Sequence, residues 1–248
     1  MPSTWQVGQS MYESGVLKKV THGPLRPGGT AVTQILLDGC GTQPDDLVVD
    51  VGCGEGYSIN RIRGNSARLK LGMDSYFSLL MSGKRSNPDS KLVCADGFQL
   101  PISDNSVDTL IGECSFTASA NFGGLLKECF RVLCPGGRLG ISDVYVRDPD
   151  NAASLREIPL LSCIGNALDM GSIQALLQAA GFEVIDWQDR SEYLRDLACQ
   201  INGCQGSAAG FWQEAEPQSD PFEIIIAISR AKLGYFTLIA EKIGVFHG

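Results

Sequence analysis

Short apolar runs rich in β-branched residues alternate with amphipathic stretches along most of the chain. The first pattern is typical of buried strands and the second of helices, so their alternation predicts βαβ units and a mainly parallel sheet. The predicted strands are 47–51, 68–73, 91–95, 107–112, 138–144, 182–187 and 222–229. The main predicted helices are 30–40, 121–134, 152–166, 172–180, 191–201 and a terminal helix.

The same pattern predicts three regions. Residues 1–29 form an entry segment. Within it, Thr21–Gly29 is either a lid whose backbone N–H groups face a ligand or an ordinary linker. Residues 30–230 form the α/β domain, and residues 231–248 form a C-terminal helical extension. Because this tail is strongly apolar, it indicates packing within the chain, with a homodimer arm or partner docking as the alternatives.

Composition narrows the classes of partner. A chain of 248 residues with 44% hydrophobic content suits one compact α/β domain. The net charge of -8 disfavours nonspecific binding of nucleic acid, which requires a basic face. The N-terminus lacks a basic, then apolar, leader pattern, and no apolar run reaches the roughly 20 residues of a membrane span. We therefore expect a cytoplasmic protein that acts on a small-molecule substrate.

The first chemical signal is a glycine-spaced turn directly after the strand 47–51. Glycine leaves backbone N–H groups open to a ligand and lets the next helix start close to it. A dinucleotide fingerprint would need a further glycine at position 57, where the chain has Tyr57, and this argues against a pyrophosphate. The residues predicted to bind a cofactor here are Asp50, Gly52, Cys53, Gly54 and Gly56.

The next two strands also end in acids. Asp74 lies at the end of the second strand, where a carboxylate can accept hydrogen bonds from both ribose hydroxyls of an adenosyl group. Asp96 follows the third strand and can accept from an adenine amino group. Open α/β sheets bind ligands at the carboxyl ends of their strands, so these acids are expected to converge on one crevice. In the alternative interpretation, they only cap helices or turns. Their predicted neighbours in the site are Ser75, Gly97 and Phe98.

These residues, together with the block Leu126–Gly137, resemble the successive motifs of the class I S-adenosylmethionine-dependent methyltransferases. The resemblance implies a Rossmann-like α/β fold with helices on both faces of a seven-stranded sheet, in the strand order 3-2-1-4-5-7-6. Strand 7 is antiparallel in that order, and 222–229 is the candidate for it. The implied cofactor is S-adenosylmethionine, with S-adenosylhomocysteine as the product.

The implied reaction is methyl transfer, for which the protein supplies proximity, alignment and exclusion of water. A general base is needed only if the acceptor is protonated. Glu113, just past the fourth strand, is either a base or cofactor contact or a solvated acid at a strand end.

Two cysteines give a sharper indication of the acceptor. Cys114 follows the fourth strand, and Cys163 belongs to the segment Cys163–Ala167 after the fifth; the pair resembles the arsenic-binding cysteines of arsenite methyltransferases. Thiolates suit a soft, thiophilic centre. The chain departs from that family at Ile59, where a further cysteine is usual, and Cys53 either fills this role or is simply a small turn residue. In the alternative interpretation, Cys114 and Cys163 only line a buried pocket.

Other functions remain open at this stage. The first is an O-, N- or C-methyltransferase of another metabolite, and the second is a noncatalytic cofactor-binding or scaffold protein with the same fold. The two histidines, His22 and His247, stand far apart in the chain, so no metal site is predicted. The nine cysteines include no close C-x-x-C pair and are expected to be reduced thiols.

Overall fold

The computed structural model describes residues 11–62, 68–158, 160 and 162–243. The strands are β1 (Leu47–Val51), β2 (Leu69–Asp74), β3 (Leu92–Cys94), β4 (Val107–Glu113), β5 (Leu133–Val146), β6 (Phe182–Asp189) and β7 (Leu233–Lys242). The helices are α1 (Val16–Thr21), α2 (Gly29–Gly39), α3 (Tyr57–Arg61), α4 (Phe77–Ser86), α5 (Phe122–Val132), α6 (Ala153–Arg156), α7 (Met170–Ala179), α8 (Ser191–Gln205), α9 (Ala208–Ala215) and α10 (Pro221–Ala231). A short 3-10 helix, Pro149–Asn151, precedes α6.

The seven strands form one sheet in the order β3-β2-β1-β4-β5-β7-β6, which confirms the predicted fold class. The strands β1 to β5 pair in parallel, whereas β7 is antiparallel to both of its neighbours, β5 and β6. Because the parallel strands point the same way, the turns after β1, β2, β3 and β4 all lie along one edge of the sheet.

Side chains that alternate along each strand divide the core into two layers. Val48 and Ile111 pack on one face with residues of α1, α2, α9 and α10. Their sequence neighbours Val49 and Leu110 pack on the other face with α5 and α7. This is the two-residue period of a strand buried on both sides. In the described ranges, no helix is both long enough and apolar enough to cross a membrane.

The predicted strand 222–229 is wrong, because this segment lies inside helix α10. Its isoleucines favour a strand by propensity, but Asp220 caps the helix by accepting a hydrogen bond from the Phe222 N–H at 2.8 Å, with Pro221 in the first turn. The buried residues Ile224, Ala227 and Ala231 follow the spacing of one helix face.

The helical C-terminal extension is also wrong where the structure describes it, since Leu233–Lys242 is the antiparallel strand β7. Nearly all of its residues are buried, because the strand is covered on both faces and flanked by β5 and β6. A strand of this kind lacks the alternation that distinguishes a half-buried strand from a helix. The apolar tail is therefore used inside the sheet, and residues 233–242 are not available as a docking arm. Residues 244–248 lie outside the described ranges.

Two further boundaries differ from the prediction. Among the described residues of the predicted helix 152–166, only Ala153–Arg156 are helical, and further along the Gly165 N–H donates to the Ser162 carbonyl at 3.2 Å to close a turn. The stretch Pro135–Gly137 does not precede β5 but forms an irregularity within it, where the pairing with β4 shifts.

The end of β7 is fixed by a buried cation. The Lys242 ammonium donates hydrogen bonds to the Asn105 side chain at 2.7 Å and to the carbonyls of Phe130 and Leu133 at 2.6 and 2.7 Å. It also lies 4.3 Å from the centre of the Phe130 ring. Only 7% of Lys242 is exposed, so these acceptors satisfy a charge that would be costly to bury alone.

We expect the substitution Lys242→Met to lower the free energy of unfolding by about 3 kcal/mol, because it removes the three hydrogen bonds that the ammonium donates. Urea denaturation followed by circular dichroism measures the change. The matched control is Lys19→Met, which removes an exposed ion pair with Glu214 and should cost less than about 1 kcal/mol. Equal losses in the two variants would contradict the anchoring role of Lys242.

Candidate active site

The turn after β1 has the backbone conformation that its glycines predict. Gly52, Gly54 and Gly56 have φ values of +79°, +53° and +77°. Residues with a Cβ rarely adopt such positive φ angles. A Cβ on Gly52 would lie 2.3 Å from the Ser115 Cβ, so the turn packs directly on the segment that follows β4. Gly56 forms the N-terminal cap position of α3.

Asp74 links this turn to the end of β2. Its carboxylate accepts a hydrogen bond from the Gly54 N–H at 2.7 Å and another from the Tyr76 N–H at 2.8 Å. Burial raises the pKa of Asp74, and the bonds from these backbone N–H groups oppose that rise. Asp74 is 8% exposed, and its carboxylate keeps lone pairs with which it can accept from a ligand.

Two cavities meet at Gly52 and Asp74. The larger, of about 750 Å³, extends towards the entry segment and the end of β4. The smaller, of about 230 Å³, extends along the ends of β2 and β3. The larger is lined by Tyr12, Leu25, Arg26, Gly52, Cys53, Gly54, Glu55, Tyr57, Asp74, Tyr76, Leu79, Glu113, Cys114, Ser115 and Ala118. The smaller is lined by Val51, Gly52, Met73, Asp74, Ser75, Ala95, Gly97 and Leu100.

The residues predicted after β2 and β3 lie at or beside the smaller cavity. Ser75 and Gly97 form part of its wall. Asp96 and Phe98 flank Gly97, and the Asp96 carboxylate accepts from the Phe98 N–H at 2.9 Å, which shapes the turn. The interpretation of Asp96 as a turn-forming residue therefore holds, and its contact with adenine stays a prediction.

Glu113 is not a solvated acid. Its carboxylate accepts from the Arg26 Nε at 2.8 Å and from the hydroxyls of Thr33 and Ser58, and its side chain is only 2% exposed. Arg26 comes from the segment Thr21–Gly29, which the sequence predicts to be a lid or a linker. This segment therefore supplies a buried cation to the site.

A second buried acid lies behind the turn. Asp50 is 1% exposed, and burial together with the neighbouring Glu113 raises the pKa of its carboxyl to about 8. The Arg26 guanidinium opposes this rise. Asp50 thus holds a proton near neutral pH that a nearby cation would displace.

Cys114 and Cys163 come together as the sequence predicts. Their sulfur atoms and a carboxylate oxygen of Asp143 all lie within 4.8 Å of one another, and all three residues are buried. Cys114, with a φ of +53°, lines the larger cavity. A hydrogen bond with the Cys163 thiol and burial raise the pKa of Cys114 well above its usual value, so Cys114 is a neutral thiol. Cys53 lines the same cavity but does not belong to this cluster of three.

Two tyrosines and one acid complete the surroundings of the cysteines. The Tyr12 hydroxyl lies 3.5 Å from the Cys163 N, and the Tyr235 hydroxyl lies 3.9 Å from the Cys114 Sγ and donates to Ser142 at 3.0 Å. Burial raises the pKa of Asp143 to about 6, although it accepts bonds from the N–H groups of residues 116, 117 and 144.

Sequence reasoning does not identify Tyr12, Arg26, Ser115, Asp143 or Tyr235 as parts of the site. Only two signals bear on them: the predicted lid contains Arg26, and Asp143 ends an apolar run in the middle of a strand. Tyr12 and Tyr235 are brought in from distant parts of the chain by the tertiary structure, whereas Ser115 directly follows Cys114.

The residues fit S-adenosylmethionine. A ligand with an adenosyl end and an amino-acid end matches two cavities that join at a carboxylate. The narrow, mostly apolar cavity suits a flat base, and the wider one carries charged and hydroxyl groups suited to an amino acid. Within the described residues, the Ser115 hydroxyl in the wider cavity is buried without a hydrogen-bond partner, as expected of a group that a ligand satisfies.

Comparison with known proteins gives the family. Residues 49–141 match the model of a methyltransferase domain. An O-methyltransferase of Pyrenophora dematioidea is 26% identical over 216 residues, which cover 81% of this chain and 76% of that protein. An arsenite methyltransferase of Halobacterium salinarum is 23% identical over 176 residues, or 60% of this chain. The chain spans only 45% of the length of this second relative.

The fold of the crystallised cyclase SpnF is similar, with a TM-score of 0.74 at 23% identity over 98% of this chain and 97% of that one. At this identity the likeness concerns the fold alone. The family match runs from within β1 to within β5 and contains the glycine turn and both strand-end acids, which form much of the cavity walls. Residues 49–141 are thus a methyltransferase domain, and the fold and the relatives together support the class I S-adenosylmethionine-dependent methyltransferase family for this chain.

Proposed function

We propose that this methyltransferase acts on a small thiophilic acceptor, with trivalent arsenic in the form of arsenite as the specific candidate. One observation carries the proposal: Cys114 lines the larger cavity, and its sulfur lies within 4.8 Å of the sulfur of Cys163. Two sulfurs at this separation can bind one soft atom together. Cys114 also places that atom beside the glycine turn that receives the cofactor.

The cofactor supplies an activated methyl group, so the protein has to bind, orient and exclude water. Asp74 and the smaller cavity would hold the adenosyl end, and the turn Gly52–Gly56 would receive the amino-acid end. Cys114, in the wall of the larger cavity, would hold the acceptor together with the neighbouring Cys163. The hydroxyls of Tyr12 and Tyr235 lie beside these two cysteines.

The raised pKa of the Cys114 thiol suits arsenite. Arsenous acid is uncharged, and each thiol replaces one hydroxyl of the acid: an As–S bond forms, an As–O bond breaks, and the thiol proton leaves with the hydroxyl as water. No charge has to be buried in this exchange, so the raised pKa of Cys114 does not oppose it.

The acids of the site favour an acceptor that needs no general base. Glu113 is held by the Arg26 guanidinium and two hydroxyls, and Asp143 is held by three backbone N–H groups and the Thr117 hydroxyl. The described residues that line the larger cavity include no histidine. An O- or N-methyltransferase of a protonated acceptor needs a group that can remove a proton, whereas trivalent arsenic carries a free electron pair.

The likeness to the arsenite methyltransferase of Halobacterium salinarum is consistent with this acceptor. The likeness to an O-methyltransferase supports the alternative, a metabolite acceptor, in which Cys114 and Cys163 only line the pocket. The two functions differ in whether the thiols are needed for turnover.

We expect arsenite-dependent formation of S-adenosylhomocysteine to fall at least about 100-fold in both Cys114→Ser and Cys163→Ser, because an alcohol oxygen replaces a soft sulfur ligand. Chromatographic measurement of S-adenosylhomocysteine, with excess glutathione as reductant, gives the rates. Calorimetric affinity for S-adenosylmethionine should stay within about threefold of the wild type, since neither thiol holds the cofactor.

The matched control is Cys199→Ser, which changes an exposed cysteine on α8 and should keep the wild-type rate. Turnover with arsenite that survives both buried substitutions would remove the thiophilic acceptor. If arsenite gives no turnover but metabolite extract does, the alternative acceptor class is correct. A wild-type protein that fails to bind S-adenosylmethionine at micromolar levels would point to the noncatalytic alternative.

A pH dependence follows from Asp50. Its carboxyl is protonated in the free protein below about pH 8, and a sulfonium cation nearby favours the ionised form. Affinity for S-adenosylmethionine should therefore rise with pH between 6 and 8, by at most about tenfold per pH unit for one linked proton. Titration calorimetry at several pH values measures the slope.

S-adenosylhomocysteine provides the matched ligand, because it lacks the sulfonium charge but has the same amino acid. Its affinity should rise less steeply, and the difference in slope between the two ligands should vanish in Asp50→Asn. Parallel slopes in the wild type would show that Asp50 does not respond to the sulfonium.

A further inference from the structure

The guanidinium of Arg26 is buried but only partly used. Its side chain is 9% exposed. The Nε donates to Glu113 at 2.8 Å, and the Nη2 donates to the hydroxyls of Thr33 and Ser58 at 2.7 and 2.9 Å. A guanidinium has five N–H donors, so these bonds leave the two on Nη1. Within the part of the chain that the structure describes, no side chain or carbonyl accepts from them.

A second unused donor lies in the same wall. Arg26 and Ser115 both line the larger cavity, and the Ser115 hydroxyl is buried without a partner among the described residues. Ser115 is also in contact range of the glycine turn, because a Cβ on Gly52 would lie 3.1 Å from its Oγ. The unused donors therefore border the place where the amino-acid end of the cofactor has to lie.

The charges around these donors select the kind of group they bind. Arg26 and Glu113 form a buried ion pair at 2.8 Å and neutralise each other. A lone anion or a lone cation would leave an unpaired charge in this cavity, whereas a zwitterion would not. A carboxylate with an ammonium beside it can place its negative oxygens on the free edge of Arg26 and its positive nitrogen towards Glu113.

We propose that Nη1 of Arg26, together with the Ser115 hydroxyl, binds the α-carboxylate of S-adenosylmethionine. Arg26 is then a cofactor-binding residue, contributed by the segment Thr21–Gly29 through a side chain rather than through backbone N–H groups. Glu113 is a positioning residue that holds the guanidinium in place. The inference rests on the cofactor of the family and is independent of the proposed acceptor.

The test compares ligands that differ only in the amino-acid end. S-adenosylhomocysteine carries the α-carboxylate, its decarboxylated analogue lacks it, and 5′-methylthioadenosine lacks the whole amino acid. The wild type should bind S-adenosylhomocysteine about 10- to 100-fold more tightly than the decarboxylated analogue, the usual range for charge-assisted hydrogen bonds to a carboxylate. Titration calorimetry gives the affinities without any acceptor present.

In Arg26→Met this preference should fall to about threefold or less, because a thioether cannot donate to a carboxylate. Affinity for 5′-methylthioadenosine should stay within about threefold of the wild type, which shows that the adenosyl part of the site is intact. The control Lys19→Met removes an exposed cation outside the cavity and should keep the full preference for the carboxylate. An Arg26→Met protein that binds 5′-methylthioadenosine and still prefers the carboxylate would overturn the proposal.

Ser115→Ala gives a second test that leaves the ion pair in place. The preference for S-adenosylhomocysteine should fall by about three- to tenfold, the share of one hydrogen bond. If Arg26→Met does not fold, as judged by circular dichroism, an unchanged preference in Ser115→Ala would overturn the proposal. Because no arsenite is used, the result is separate from the test of Cys114 and Cys163.

Discussion

The hydrogen bond from the Gly54 N–H to the Asp74 carboxylate holds the site together. It ties the turn after β1 to the end of β2, and the two cavities meet at these residues. The same turn packs against Ser115, which follows β4, so closely that there is no room for a Cβ on Gly52. The ends of three strands are thus fixed against one another, because the backbone of this turn contacts the side chains of Asp74 and Ser115. The binding surface is therefore already formed before a ligand binds, and this lowers the entropic cost of ordering the site.

The strand ends bring several buried acids close together, and other residues or bound protons neutralise their charges. Asp50 is protonated near neutral pH, and Glu113 is paired with Arg26. Removing one partner of a buried ion pair usually costs several kcal/mol, so Glu113 depends on the entry segment. The family match begins at residue 49 and therefore contains the acid but not the cation that neutralises it. The domain and its entry segment form a single electrostatic unit, which argues against the division at residue 29 that the sequence pattern predicts.

The sequence predicts the cofactor half of the site well for a physical reason. Turn glycines, strand ends and the acids beside them are set by local backbone geometry, which can be recognised over a few residues. The topology also follows from the order of the elements and their resemblance to one family. The misassigned elements are α10 and β7: α10 is rich in isoleucine, and β7 is buried on both faces, so apolar periodicity identifies neither. The cap at Asp220 and Pro221 is the local signal that identifies α10.

The acceptor half is built differently. Tyr12 reaches Cys163 across 151 residues of sequence, and Tyr235 reaches Cys114 across 121. No local pattern encodes such pairs, because each depends on where the entry segment and β7 pack in the finished sheet. The cysteines can be predicted only because their chemistry is unusual, whereas tyrosines are common enough in any core to give no signal. The residues that bind the cofactor can therefore remain the same while side chains from distant segments change the specificity for the acceptor. In this chain two buried thiols lie together, and the described residues that line the larger cavity include no histidine, a combination that favours an acceptor with its own electron pair and an affinity for sulfur.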